Sequence, residues 1–425
     1  MRVVICGGGL AGLSTAAFLR LSNIASSISI IESTARNAQD GQDVNSYDKI
    51  KQNQEIGSNI FPMQTGLWTS AMKLLAVDLK ISSDKLPFVS VDQLAGYRNK
   101  KGDWMVRPHR GLSVFNGSCL APSLSFVSNN NLVDCLKKYL ERDVEIMCTQ
   151  LEDIRDSSLT TADGHSMDFD LLVNAGGTWS DLKQPGQKGD TEFVRYQGYQ
   201  VWRGFSKDIV CPDSFQTWGS GSRFAVVPSV HGGSMWYAAV SCKQDDRGKY
   251  TSAANGPFYN RSIQETKNGR EFLQDHFKNW HQPISELIAN SEHDIYRCPA
   301  YASSRPRLST QSNVVAVGDA FYTFDPIMAI GAGFAIESAH ALSQSLIPNK
   351  NTETVGFQIR KYEQSLQPKI RTLSRVSQLA QLVGHMNSKP ACNVRDRALS
   401  FLPNAIKGYV MDGVIGELNG SGISE

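Results

Sequence analysis

The alternation of apolar and polar positions divides the chain into three stretches of different character. The first 33 residues read as an apolar run (RVVIC), a glycine turn (GGG), a helix-spaced run (LAGLSTAAFLRL) and a second apolar run (SISII). That order predicts strand, turn, helix, strand, the opening of a parallel βαβ unit. Residues 34–54 are polar and aperiodic, which predicts a loop or insertion. Helical patterning returns near 64–76 and over 129–142. Strand-like runs follow at VEIMC, LEDIRD and SLTTADG, and then the apolar run FDLLVNAGG.

From about 187 to 305 the pattern changes to aromatic and β-branched residues broken by turns: EFVRYQGYQVWRGF, SRFAVVPSV and SMWYAAVSC. These predict an antiparallel sheet with a helix near 262–290. NVVAVGDAF (313–321) then returns to a buried strand, a glycine loop and the helix GFAIESAHALSQSL, and the rest from about 355 is largely helical. The expected fold class is α/β. A Rossmann-type nucleotide domain is built from discontinuous segments, 1–186 and 306–355. A sheet-based substrate domain, 187–305, is inserted between them, and a helical region, 356–425, closes the chain.

Composition narrows the function classes. The 43 basic and 41 acidic side chains leave a net charge of +2 without a long basic run, so a nucleic-acid partner is not expected. No cysteine pair has C-x-x-C spacing and no Cys/His set has zinc-finger spacing, which predicts reduced thiols and no metal site. Only Val314 to Ile336 approaches membrane length, and it holds Asp319, Asp325 and three glycines, so no transmembrane segment is expected. The first strand follows Met1 and Arg2 directly, which predicts a cytoplasmic protein without a targeting peptide.

Gly7-Gly8-Gly9-Leu10-Ala11-Gly12 is a G-x-G-x-x-G between a strand and a helix. Gly7 permits the tight turn, Gly9 lets the backbone approach a pyrophosphate, and Gly12 lets the helix pack closely on the strand. Leu10 and Ala11 open the helix whose amino end faces phosphate charge. Glu32 ends the next strand 20 residues after Gly12, where a carboxylate accepts from ribose hydroxyls. A second constellation is VVAVGDAFYTFDPIMAIGAGFAIE. Asp319 is suited to accept from a ribitol, and the amides of Gly331, Ala332 and Gly333 to face a flavin ring. Taken alone, Asp319 reads equally well as a helix N-cap. Together, the two constellations favour FAD over NAD.

On these motifs the chain resembles the FAD-dependent aromatic hydroxylases of the para-hydroxybenzoate hydroxylase type, including zeaxanthin epoxidase-like and salicylate hydroxylase-like enzymes. The resemblance rests on 7–19, 168–183, 196–204, 223–238, 318–339 and 393–403. It implies that Gly7, Gly9, Gly12 and Glu32 hold the ADP part of FAD, with Asn129 and Leu151 counted among the cofactor residues. Pro326 would lie over the active-site face of the ring. Arg203, after Trp202, would line the substrate cavity, and Phe224, Trp236 and Tyr237 would wall an aromatic pocket.

Several positions depart from that pattern. The family's usual Asp-Gly pair is Gly176-Gly177, its basic residue before the 132–141 helix is Asn129, and Tyr322 and Ile330 replace its usual His and Gln. The reaction implied is a monooxygenation. Transiently bound NAD(P)H reduces the flavin, O2 forms a C4a-hydroperoxide, and a small aromatic or electron-rich unsaturated substrate is hydroxylated or epoxidised. VNAGGTWSDL also resembles D-amino-acid-oxidase-like flavoenzymes. This leaves an oxidase or dehydrogenase of the amine-oxidase kind, or a non-catalytic flavin-binding relative, as alternatives. Oligomeric state is open.

Overall fold

The computed structural model describes residues 1–33, 63–92, 96–107, 123–180, 182, 193–211, 213–242, 263–347 and 354–403. The polar stretch expected as a loop at 34–54 and the end of the C-terminal region, 404–425, lie outside the described residues.

The fold is mixed α/β. Five parallel strands form one sheet in the order Val314–Ala316, Leu171–Asn174, Arg2–Cys6, Ser27–Ile31, Glu145–Met147. Their VVI, SISII, LLV and VVA cores are apolar because both faces of the sheet are covered. Helix Leu10–Leu21 buries every residue from Gly12 to Leu19 in the core shared with this sheet, its small Ala, Ser and Thr residues allowing close approach. The chain reverses its strand order between Arg2–Cys6 and Leu171–Asn174. A crevice opens beyond the carboxyl ends of such a pair, where open α/β sheets bind ligands.

A seven-stranded sheet runs Glu292–Ser303, Val194–Ser206, Ser234–Ser241, Ser222–Pro228, Phe215–Trp218, Gly96–Asn99, Trp104–Val106. It is antiparallel except between Phe215–Trp218 and Gly96–Asn99. The strands at 96–99 and 104–106 come from well before 187 yet extend this sheet. Helices Ile263–Phe277 and Ile284–Ala289 cover one of its faces through Leu273, Phe277, Ile284 and Leu287. Two further sheets have three strands each: Gln64–Trp68, Ser123–Ser128, Phe88–Asp92, and Ser166–Asp168, Ser158–Thr161, Leu151–Arg155.

The helix expected near 64–76 is a correction. Gln64–Trp68 is a strand paired with Ser123–Ser128, and the helix begins only at Thr69. Leu67 and Trp68 are fully buried through that pairing, so tertiary contact overrides the local pattern.

The apolar stretch from Val314 to Ile336 is split among a strand, two short turns and helix Gly331–Leu346. Among the described residues no helix is long and apolar enough to cross a membrane. The seven described cysteines are all unbridged.

Candidate functional site

Gly7 follows the first strand directly, with φ at +112°. A Cβ there would lie 2.4 Å from the Ala175 carbonyl oxygen, so the two crossing strand ends meet without room for a side chain. A Cβ on Gly12 would lie 1.9 Å from the Gly7 carbonyl oxygen, which fixes helix against turn. Gly9 differs: a Cβ there meets nothing within 4 Å, and no side chain caps the helix that follows. The helix that Leu10 and Ala11 open therefore starts on an uncapped, positive end with room beside Gly9, a fit for a pyrophosphate. Glu32 reaches back over this turn and accepts from the Gly8 amide.

Asp319 sits beside Gly331. Its Oδ1 is shielded from solvent without a hydrogen-bond partner, and a Cβ on Gly331 would stand 3.6 Å from it. Burial raises its carboxyl from 3.8 to about 6, against the opposing hydrogen bond from Thr178. A buried carboxylate oxygen lacking a donor is costly unless a ligand supplies one. Helix Gly331–Leu346 starts at the same place, with no side chain capping its first amides. A Cβ on Gly333 would lie 3.7 Å from Ala71 Cβ, so helix 69–73 packs against this end. Gly318, at φ +57°, brings Ala11 against this segment: a Cβ there would lie 2.7 Å from Ala11 Cβ. The two motifs, some 300 residues apart in sequence, are thus in contact. The residues present fit FAD, with a polyphosphate at Gly9 and a polyol hydroxyl at Asp319.

Pro326 is the first residue of a short turn that Asp325 caps by accepting from the Ile327 amide at 2.9 Å. The same Asp325 oxygen accepts from the Tyr199 hydroxyl, tying the turn to the seven-stranded sheet. Arg223 lies over the Tyr199 ring at 5.4 Å and donates to His385 at 3.2 Å. Burial holds Asp325 above the usual carboxylate range and, with Arg223 adjacent, lowers His385 to about 3.

Strand parity separates the expected substrate residues. Tyr199, Arg203 and Phe205 of strand Val194–Ser206 share the face that looks toward Asp325 and Phe126. Arg203 is paired across to Tyr237 and Tyr296, and its Nε is buried without a partner. Tyr237 is held above the usual phenol range by burial, with Arg203 opposing.

Trp202, Phe224 and Trp236 lie on the other side of that sheet. They point to the opposite face and form the core under helices 263–277 and 284–289. Trp236 stacks on Phe224 at 5.3 Å and donates to Ser291 Oγ at 2.9 Å, and Trp202 packs on Phe272. Buried there, they contribute to the packing of the sheet against its helices.

Asn129 opens helix Asn129–Leu140, and its Oδ1 accepts from Thr65. Leu151 packs with Val4 and Ile31 beside the parallel sheet. Tyr322 bonds Ser374 at 2.8 Å, and Ile330 is buried at the amino end of helix 331–346.

The sequence reading missed Asn174, Thr178, Ser180 and the Tyr199–Asp325 pair. Asn174 Oδ1 accepts from the Gly176 amide at 3.1 Å and from Ser180 Oγ at 2.7 Å, which shapes the Gly176-Gly177 turn. An Asn closing an apolar strand before two glycines was the available signal. Among the described residues no group of three His, Cys, Asp or Glu side chains is placed to hold a metal ion.

In sequence and in fold the chain resembles the FAD-dependent aromatic-type monooxygenases, which are oxidoreductases. It is 25% identical over 354 residues to the aurachin C monooxygenase/isomerase of Stigmatella aurantiaca, covering 81% of this chain and 80% of that protein. It is 23% identical over 412 residues to the chloroplastic zeaxanthin epoxidase of Spinacia oleracea, covering 90% of this chain but spanning only 54% of that relative. Among solved structures, Klebsiella pneumoniae HpxO complexed with FAD and uric acid superposes with a TM-score of 0.72 at 18% identity, over 98% of this chain and 96% of that one. No family model matches the sequence.

Proposed function

We propose that the protein is an FAD-dependent monooxygenase that uses NAD(P)H and O2 on a small aromatic or electron-rich unsaturated substrate. The observation that carries this reading is the buried, unpartnered Asp319 Oδ1 beside the uncapped amino end of helix Gly331–Leu346. Gly7, Gly9, Leu10, Ala11, Gly12 and Glu32 would hold the ADP part, Asp319 the ribitol, and the amides at Gly331, Ala332 and Gly333 the ring. Bound FAD would supply hydride acceptance and oxygen activation.

This chain's residues do the rest. Asp325 fixes the turn that would present Pro326 to the ring. Arg203, with its Nε lacking a partner, binds and orients an anionic or phenolate-forming substrate on the sheet face it shares with Tyr237. The apolar cluster of Phe126, Phe205, Val227 and Met235 beside them excludes water. Residues 1–186 and 306–355 are the segments we assign to cofactor binding and 187–305 to the substrate side, with strands 96–99 and 104–106 added to the latter sheet.

Anaerobic mixing tests the reading. NADH or NADPH should bleach the flavin, and O2 should then yield an oxygenated product from a phenolic, indolic or terpenoid panel. Bleaching by amines alone, with no response to either nicotinamide, would replace the proposal with an amine-oxidase-type reaction.

A further inference from the structure

The helices that close the described chain, Val355–Gly384 and Lys389–Phe401, carry a charge and a surface that the cofactor site does not use. Residues 354–403 hold eight Lys and Arg against two acids, a net +6 in a chain whose total is +2. One of those acids, Glu363, is buried and accepts from the Ser309 amide. The other, Asp396, is paired with its neighbour Arg395.

On the long helix Phe357, Arg371, Arg375, Leu379 and Leu382 all fall on one outward stripe at helical spacing, and all are exposed. Leu379 and Leu382 are 60% and 69% exposed, so this apolar surface is presented to solvent rather than packed. The second helix repeats the device, with Val394 at 68% and Phe401 at 84% exposure flanking the exposed Arg397. Arg395 of this helix donates to the Val383 carbonyl, holding the two helices together at their junction.

We infer that this outer face of the two helices docks the protein on an anionic lipid surface. Basic residues interleaved with exposed leucine, valine and phenylalanine match the two components of a bilayer interface. The cations meet lipid phosphate and the apolar side chains enter the headgroup boundary. Nucleic acid would use the cations but leave the apolar side chains in water, and a second copy of the chain would bring +6 against +6. The inner face of the same long helix grips the cofactor-loop region: Tyr362 donates to the Ala316 carbonyl at 3.0 Å, and Ser374 bonds Tyr322. Docking would therefore hold the site beside the membrane, where apolar substrates partition. The docking inference itself does not depend on the cofactor reading.

Co-sedimentation of the full-length protein tests it, using vesicles of phosphatidylcholine alone and of phosphatidylcholine mixed equally with phosphatidylglycerol. The protein should bind the mixed vesicles, bind neutral ones far less, and be released by salt. Each cation at the surface contributes about fivefold to partitioning, so Arg371→Glu with Arg375→Glu should weaken binding at least about twenty-fivefold. Leu379→Asp with Leu382→Asp should weaken it tenfold or more. All four substitutions are at exposed positions, and circular dichroism should be unchanged in both double variants.

Failure of the wild-type protein to bind mixed vesicles would overturn the inference. So would vesicle binding that both double variants retain. A wild-type dimer that the Leu379→Asp, Leu382→Asp variant dissociates, without vesicle binding, would assign the face to a second copy instead. Retention on DNA without vesicle binding would assign it to nucleic acid.

Discussion

Replacing Asp319 by Asn should stabilise the apoprotein and weaken FAD binding, two effects of opposite sign from one buried carboxylate. In the folded apoprotein burial moves this group from 3.8 to about 6. Its folded pKa is raised, so the folded state holds its proton more tightly than the unfolded chain does between those values. Its penalty is absent below about pH 3.8, grows as pH rises, and is constant above the folded value. Linkage puts the cost at about 2 kcal/mol near pH 5 and at most about 3 kcal/mol near pH 8. The Asn variant carries no such charge. Its gain over wild type in urea unfolding of apoprotein should therefore be under about 1 kcal/mol near pH 4 and approach the upper figure near pH 8.

Cofactor binding should move the other way. A ribitol hydroxyl donating to Asp319 Oδ1 gains more from the ionised acceptor, so wild-type FAD affinity should rise with pH through about 6. Asn should cost about fivefold and Ala about ten- to a hundredfold, read by quenching of FAD fluorescence. An Asn apoprotein less stable than wild type near pH 8 would refute the burial argument. An Ala variant with unchanged FAD affinity would show that the carboxylate does not meet the cofactor.

The second and third glycines of the fingerprint should respond differently. Gly9→Ala, whose Cβ meets open space, should leave apoprotein Tm unchanged while lowering flavin affinity, whereas Gly12→Ala, with its Cβ 1.9 Å from a carbonyl oxygen, should abolish soluble folded protein. Tyr199→Phe leaves the buried Asp325 carboxylate short of a donor and should cost about 1–3 kcal/mol in chemical denaturation. Trp236→Ala should cost about 3–5 kcal/mol of stability as a core truncation. Arg203→Met should leave Tm nearly unchanged and raise substrate KM, so unchanged turnover parameters for that variant would remove Arg203 from the site.

The legible parts of this fold were those in which a local pattern and a buried environment agree. The βαβ opening could be read because VVIC, SISII and the glycine turn are each suited to one backbone state, and at Gly7 and Gly12 a Cβ would come within 2.5 Å of a carbonyl oxygen. Asp319 stood out because it ends an apolar strand ahead of a glycine-rich run, and the structure buries it beside Gly331. Gln64–Trp68 could not, since its strand character comes from pairing with Ser123–Ser128, nearly sixty residues later. Nor could the aromatic residues be assigned from composition alone. Trp202 and Arg203 are adjacent in sequence, and a strand sends neighbours to opposite faces, so at most one of them can look into a site on either side. Which face is inward depends on helices 263–277 and 284–289, and nothing near residue 202 encodes their docking. The Tyr199–Asp325 pair spans 126 residues and was invisible for the same reason.

Gly176 is where the resemblance and the structure bear on one another most directly. The resemblance expects an acid at this position, where the chain has glycine. In the structure a Cβ at Gly176 would lie 2.8 Å from Ser180 Oγ and 3.1 Å from Ser180 Cβ, with Asn174 Oδ1 at 3.4 Å. The space behind the turn is already filled by a serine hydroxyl donating to a buried asparagine. Glycine here is therefore coupled to Asn174 and Ser180 and is not an isolated loss. Gly176→Asp alone should lower Tm, because the Cβ must displace Ser180 from its hydrogen bond. Gly176→Asp with Ser180→Gly, which removes both serine atoms closest to that Cβ, should recover much of the stability. If NAD(P)H bleaches the flavin of the wild-type protein at a rate the double variant does not improve, the Asn174–Ser180 arrangement suffices for reduction without the acid. A large gain in the double variant would show instead that the chain has given up efficient reduction at this turn.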